Sequence, residues 1–287
     1  MTLRWTGPIA RLAAGLLLLP AALWSQAIPP ELAAERASFS HWLATDPVSP
    51  RHAIARREIG SGLLLGPDTA DIPLPGIARQ QVTERDGRIV LAGADGERVL
   101  PRGRPVVLGA FTLLADGAPA RTVLTVFQQS GGDEAAFYPY DPSLVFDGTM
   151  APAERATRQR VLGIDGIEAD AVEAGMVSLP VGGGKVRLRV LRVRTPGTEE
   201  SELTIFFRDA SNSAGTYPAG RFVELVPTAA GRYRLDFNRA RNPYCAYNSV
   251  YPCPAPWRGN TIPVAVRVGE RYLGGGLTTP TTGGDGR

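Results

Sequence analysis

The sequence predicts a mainly β protein: sandwich-like antiparallel sheets in one or two packed β regions, preceded by one or two short N-terminal helices. Three observations lead there. From Gly60 onward the chain is a series of short apolar runs broken by Gly, Pro, Asp and Asn, with 33 Gly and 25 Pro in 287 residues. Several of those runs alternate with the period of two that a half-buried strand requires. Hydrophobic residues make up 44% and charged residues 21%, enough apolar surface for a core and too little charge for a disordered chain.

Elements follow in chain order. Glu31 to Ala44 predicts a helix, with Leu32, Phe39, Trp42 and Leu43 sharing a face and Glu31, Glu35 and Arg36 elsewhere. Asp46-Pro47 and Ser49-Pro50 stop it, and a second short helix is expected from Arg51 to Glu58. Hairpin turns are expected at Asp86-Gly87, Asp95-Gly96 and Asp116-Gly117, and another at Gly182-Gly183. In the later strands Leu203, Ile205 and Phe207 share one face while Thr204, Phe206 and Arg208 share the other. Tyr233, Leu235 and Phe237 oppose Arg232, Arg234, Asp236 and Asn238. Val186, Leu188 and Val190 alternate with arginines, but Leu191 and Val193 continue in the opposite phase, which predicts a bulge near Val190. Ile262, Val264, Val266 and Val268 read as the apolar side of a late strand.

These elements divide the chain. Residues 1–27 read as a secretory signal: Arg4 and Arg11, an apolar run from Leu12 to Trp24 broken by Gly15 and Pro20, then Ser25-Gln26-Ala27. Residues 28–130 are expected to hold the N-terminal helix and a small β region, residues 131–273 a second β region. The Gly/Thr-rich tail from Gly274 to Arg287 is expected to be disordered. The run at the N terminus is too short for a comfortable membrane span. The expected location is therefore exported, periplasmic or extracellular, with cleavage near Ala27.

Composition also limits the partners. The formal charge is +3, and Lys185 is the only lysine among 31 basic residues. Removing Arg4 and Arg11 with the signal leaves +1, which is no electrostatic footprint for nucleic acid. The two cysteines, Cys245 and Cys253, suit a disulfide in an oxidising compartment. A zinc site would need more ligands, and His41 and His52 lie far away in sequence. No GxSxG, HExxH, phosphate loop or GxGxxG is present, and the spacing of Asp165, Glu168, Asp170 and Glu173 fits no calcium loop. No metal or other cofactor is expected.

The most informative stretch is residues 203–272. It holds Phe207-Arg208-Asp209-Ala210, Thr216 to Phe222, the string from Asp236 to Asn248 (DFNRA-x-NPxCAYN) and Val268-Gly269-Glu270-Arg271-Tyr272. In these blocks the chain resembles the bacterial family known as domain of unknown function 1684, found largely in exported proteins and lipoproteins. A weaker similarity extends back through Phe137 to Pro142 and Gly66 to Leu74. The resemblance implies a fold and a compartment but no established activity.

Read as chemistry, the same stretch brings arginines and polar groups beside a proline-stiffened loop. Arg208, Asp209, Tyr217, Arg221, Asp236, Asn238, Arg239 and Tyr247 are the candidate ligand-binding residues, because guanidinium groups recognise anions bidentately. The alternative is that these arginines pair with Asp209, Asp236 or Glu224 and tie a loop to a sheet edge. Without a recognisable nucleophile–base pair, the sequence favours a non-enzymatic module binding a polar or anionic ligand or a cell-envelope component. The rival is a hydrolase or lyase with Asp209 or Asp236 as base, Tyr217 as acid and the arginines stabilising an oxyanion. A third reading is a structural module that presents only a surface. No catalytic residue is assigned.

Overall fold

The computed structural model describes residues 27–194, 200–229 and 231–274. The expected signal, apart from Ala27, and the tail beyond Gly274 lie outside the described residues.

Helix α1 (Pro30–Thr45) begins on a proline, whose missing N–H costs nothing in the first turn, and stops at Asp46 before Pro47. Its buried face is Leu32, Arg36, Ser40 and Leu43. The sequence places Arg36 away from that face. In the structure it is buried because its guanidinium donates to the carbonyls of Tyr138 (2.9 Å) and Asn238 (3.0 Å) and lies over the Phe137 ring. The second helix expected from Arg51 does not form. A single 3₁₀ turn (Pro50–His52) leads into β1 (Ala53–Glu58), since a paired strand satisfies more backbone there than an isolated short helix.

The N-terminal strands continue as β2 (Leu63–Gly66), β3 (Ile72–Pro73), β4 (Gln80–Arg85), β5 (Arg88–Gly93), β6 (Gly96–Leu100), β7 (Val106–Leu108), β8 (Phe111–Asp116) and β9 (Val123–Phe127). They form a four-stranded sheet, β1-β9-β8-β7, and a five-stranded sheet, β3-β2-β4-β5-β6. One core draws on both, including Leu65, Val82 and Leu91 from the second and Phe111, Leu113, Leu124 and Val126 from the first. The Asp86-Gly87 hairpin has φ of 51° and 73°, the left-handed pair that a tight two-residue turn needs.

The remaining strands are β10 (Val145–Pro152), β11 (Arg158–Leu162), β12 (Glu168–Val181), β13 (Gly184–Arg194), β14 (Ser201–Asp209), β15 (Arg221–Ala229), β16 (Arg232–Asp236) and β17 (Thr261–Ile262). Here the sheet closes on itself. Strand β10 pairs with β16 through Val145–Thr149 and with β12 through Met150–Pro152. The ring β10-β16-β15-β14-β13-β12 is thus a six-stranded antiparallel barrel, with β11 added at one end of β12. Closure removes the open edges that an antiparallel sheet would otherwise expose.

Two glycine sites make the closure sterically feasible. At Gly175 a Cβ would stand 2.2 Å from the Ala151 carbonyl oxygen, so only glycine lets β10 approach β12. The Gly182-Gly183 hairpin, with φ of 63° and 76°, joins β12 to β13 as the sequence predicts. The irregularity expected near Val190 is present, but the extra residue is on the partner strand. Register skips Ala174 between Glu173–Leu191 and Gly175–Val190, where the edge of β12 passes from β11 to β10.

The barrel interior is filled by Val177, Leu179, Leu188, Val190, Ile205, Phe207, Leu225, Leu235 and Phe237. The two β regions meet at a smaller cluster of Ala53, Phe127, Cys245 and Tyr251. Polar ties join them as well: Arg56 donates to the Gly166 carbonyl (2.8 Å) and Asn248 to the Ala53 carbonyl (2.6 Å). Among the described residues no helix is long and apolar enough to cross a membrane.

Candidate functional site: a groove on the outer face of the barrel

The eight residues singled out from sequence do not share one cavity. Asp209 and Arg221 end the inward-facing rows of β14 and β15 and are buried. They bind the chain itself. The late strand expected from Ile262 to Val268 pairs as a strand only at Thr261–Ile262, and residues 263–272 run on as a strap across the barrel mouth. Arg221 donates to the carbonyls of Val266 (2.7 Å), Val268 (2.5 Å) and Glu270 (3.2 Å), and to the Asp209 carboxylate (3.1 Å). Asp209 accepts the Val266 N–H (3.0 Å) and the Ser211 N–H (2.8 Å). A buried ion pair thus supplies the hydrogen bonds that a neighbouring strand would have supplied. Desolvation pulls the Arg221 guanidinium down from its ordinary pKa, and Asp209 opposes that.

Three others are also consumed by structure. Asn238, buried in the 3₁₀ turn (Phe237–Arg239) that follows β16, pairs both ways with the Asp141 backbone: its Nδ2 donates to the carbonyl (2.9 Å) and its Oδ1 accepts the N–H (2.9 Å). The Tyr247 hydroxyl donates to Glu270, whose other oxygen accepts the Asn242 N–H (2.9 Å). Burial is the largest effect raising the pKa values of both Glu270 and Tyr247. Tyr217 places its hydroxyl against the disulfide, 3.3 Å from the Cys245 carbonyl and 3.2 Å from Cys253 Sγ. The predicted Cys245–Cys253 disulfide is formed, with Cα atoms 5.4 Å apart. Arg208 is exposed and donates to the Pro218 carbonyl (2.9 Å).

Of the eight, Asp236 and Arg239 line a groove of about 960 Å³ on the outer face of β13 to β16, walled by residues 159–164 on one side and Pro254 to Trp257 on another. Asn260, buried, fastens that second wall: it bonds both ways with the Arg189 backbone (2.7 and 3.0 Å) and donates to the Phe206 carbonyl (3.0 Å). The floor is the outward row of each strand: Arg189, Leu191 and Val193 from β13, Glu202, Thr204 and Phe206 from β14, Phe222, Glu224 and Val226 from β15. Phe206 and Phe222 are directly opposite in register and stack with centroids 4.2 Å apart. The signal for this floor was present in the sequence as strands with apolar residues on both faces: Phe206 opposite in phase to Phe207, and Leu191 and Val193 opposite to Val190. Such a strand has something to cover on its outer side.

The electrostatics of the groove differ from the arginine-rich face that the sequence suggested. Arg239 pairs with Glu35 and lies 3.6 Å from Asp236, Arg241 pairs with Glu35 (2.9 Å), and Arg234 pairs with Asp147 (3.0 Å). Arg189 lies 3.7 Å from Glu173 and over the Trp257 ring, and Arg160 lies 3.6 Å from Glu168. Every arginine lining the groove therefore has an acidic partner. Glu202 and Glu224 have no cationic partner among the described residues. The Glu202 carboxyl is pushed up, first by desolvation and then by Glu224 and Asp165. Among the described residues no three His, Cys, Asp or Glu side chains come together to hold a metal ion.

No curated protein matches the chain. A solved structure, the solution NMR structure of the uncharacterized protein from gene locus rrnAC0354 of Haloarcula marismortui, is 28% identical, covering 48% of this chain and 76% of that one, with a TM-score of 0.42. Residues 133–271, which hold the barrel and its strap, match the model of the family described as Protein of unknown function (DUF1684), the family that the Asp236–Asn248 string resembles.

Proposed function

We propose that the protein is an exported module, periplasmic or extracellular, that binds a small ligand in the groove on the outer face of the barrel. The observation that carries this reading is the groove itself. Its volume of about 960 Å³ is that of a ligand site, its floor is partly apolar, and its polar groups converge from four strands and a pinned loop. The signal-like N terminus and the disulfide support export. An anionic ligand held by free arginines is a weaker reading, because the guanidinium groups of the groove are already paired. A hydrolase or lyase would need Asp209 or Asp236, Tyr217 and an arginine in one open pocket. Those side chains stand in the barrel mouth, in the groove and at the disulfide respectively.

The experiment is a thermal-shift screen of the exported protein against amines, sugars, peptides and lipid headgroups, repeated on Val226→Trp, which fills the groove floor. The expected result is a ligand that raises the midpoint of the wild-type protein and not of the variant. A screen without a single shift, or shifts equal in both proteins, would remove the groove as the binding site.

A further inference from the structure

Glu202 and Glu224 lie on the outward rows of neighbouring strands. Thr204 is opposite both Leu191 and Glu224, and Val193 is opposite Glu202, so the two carboxylates are diagonal neighbours set among aliphatic side chains. Diagonal neighbours of an antiparallel pair stand roughly 7–8 Å apart, with their Cβ atoms somewhat closer. Around them the cations are spent. Arg234 is held by Asp147, Arg239 and Arg241 by Glu35, and Arg189 by Glu173. The groove therefore presents two uncompensated negative charges on a floor that also carries Leu191, Val193, Phe206 and Val226. Two unpaired carboxylates on a partly desolvated surface repel one another, and a cation placed between them relieves both the repulsion and the lost hydration. A bare metal ion would find too few ligands in two side chains this far apart. An organic ammonium suits the spacing, because its N–H donors reach either carboxylate while its carbon skeleton covers the aliphatic and aromatic floor.

We infer that the groove selects a small organic cation, a primary ammonium with an apolar body, through Glu202 and Glu224. The inference rests on the groove being the binding site and adds the chemistry of its occupant. It is tested by isothermal titration of the full-length exported protein with three probes of one shape: 4-phenylbutylamine, 4-phenylbutanol and 4-phenylbutyrate. The amine is expected to bind at one site, with the alcohol and the acid at least tenfold weaker. Glu202→Gln and Glu224→Gln should each weaken the amine at least tenfold while leaving the thermal midpoint in place. Equal or tighter binding of the alcohol or the acid, or full amine affinity in both variants, overturns the inference. If Val226→Trp abolishes that binding, the groove survives as the site. Amine binding that persists in Val226→Trp, or no binding by any of the probes, also overturns it. In the latter case the broader screen decides separately whether the groove binds anything.

Discussion

Strand β14 carries Asp209 into the barrel mouth and Glu202 and Arg208 onto the outer face, β15 carries Arg221 in and Glu224 out, and the pairs Asp209–Arg221 and Glu202–Glu224 have opposite fates. Asp209 and Arg221 belong to the odd-numbered inward rows, with Leu203, Ile205 and Phe207 and with Val223 and Leu225. Glu202 and Glu224 belong to the even-numbered outward rows. Inside, burial makes an unpaired charge costly, so Asp209 and Arg221 are paired with each other and hydrogen-bonded to the strap. Outside, water tolerates an unpaired charge, so Glu202 and Glu224 remain available. Asp209 and Arg221, which stand out in the family-like blocks, are therefore residues the fold has used, while unpaired charge remains on the less conspicuous face. A charged residue in a strand is read for ligand binding only after its parity is known.

That contrast can be broken at either end. The largest effect is expected from Arg221→Met, which leaves Asp209 buried without its cation and three strap carbonyls without a donor. A loss of about 3–5 kcal/mol in urea unfolding is expected, with partial recovery in Arg221→Met combined with Asp209→Asn. A loss below about 1 kcal/mol would mean that the strap is not anchored there. Reducing the Cys245–Cys253 disulfide comes next. It should cost roughly 2–3 kcal/mol by loop entropy, read as a fall in the thermal midpoint with dithiothreitol, because so short a loop gains little from closure. Gly175→Ala should cost about 1–3 kcal/mol, since its new methyl meets the Ala151 carbonyl and must push β10 from β12.

Glu270 sharpens the contrast through pH. Its folded-state value is raised above the ordinary 4.5, so folding favours the protonated acid. Its contribution is complete below that ordinary value and is lost as pH rises through the folded value, with a slope of at most about 1.4 kcal/mol per pH unit. Glu270→Gln, which mimics the neutral acid, should flatten the decline of stability with rising pH in a series of unfolding curves. An unchanged slope would show that Glu270 is not the group responsible. The smallest stability effect is expected at the groove: Glu202→Gln should leave the midpoint unchanged or slightly higher, because it removes an unpaired charge that desolvation already disfavours. A marked fall would move Glu202 from the ligand site into the structural class of Asp209.

Much of this was legible in advance for identifiable reasons. Period-two alternation located β13, β14 and β16 and gave their inward rows. The Gly-Gly turn gave the β12–β13 hairpin, and the spacing of two cysteines gave the disulfide. The misreadings share a cause. Arg51 to Glu58 looks like a helix until β9 offers it a strand partner, and Arg36 looks like a surface residue until two carbonyls from distant loops meet its guanidinium. Val264 to Val268 look like a strand, but at Val266 and Val268 the backbone is satisfied by the Arg221 and Asp209 side chains, which no local pattern announces.

By itself the sequence determined the β class, the alternation of several strands, the disulfide and the resemblance to DUF1684, because these depend on local geometry and spacing along the chain. Only the tertiary structure decided that the sheet closes into a barrel, that Arg221 and Asp209 hold the strap, and that Glu202 and Glu224 stay unpaired. Closure and pairing are set by contacts between residues tens to hundreds of positions apart. A charge's partner depends on which of many distant groups the fold brings within hydrogen-bonding reach.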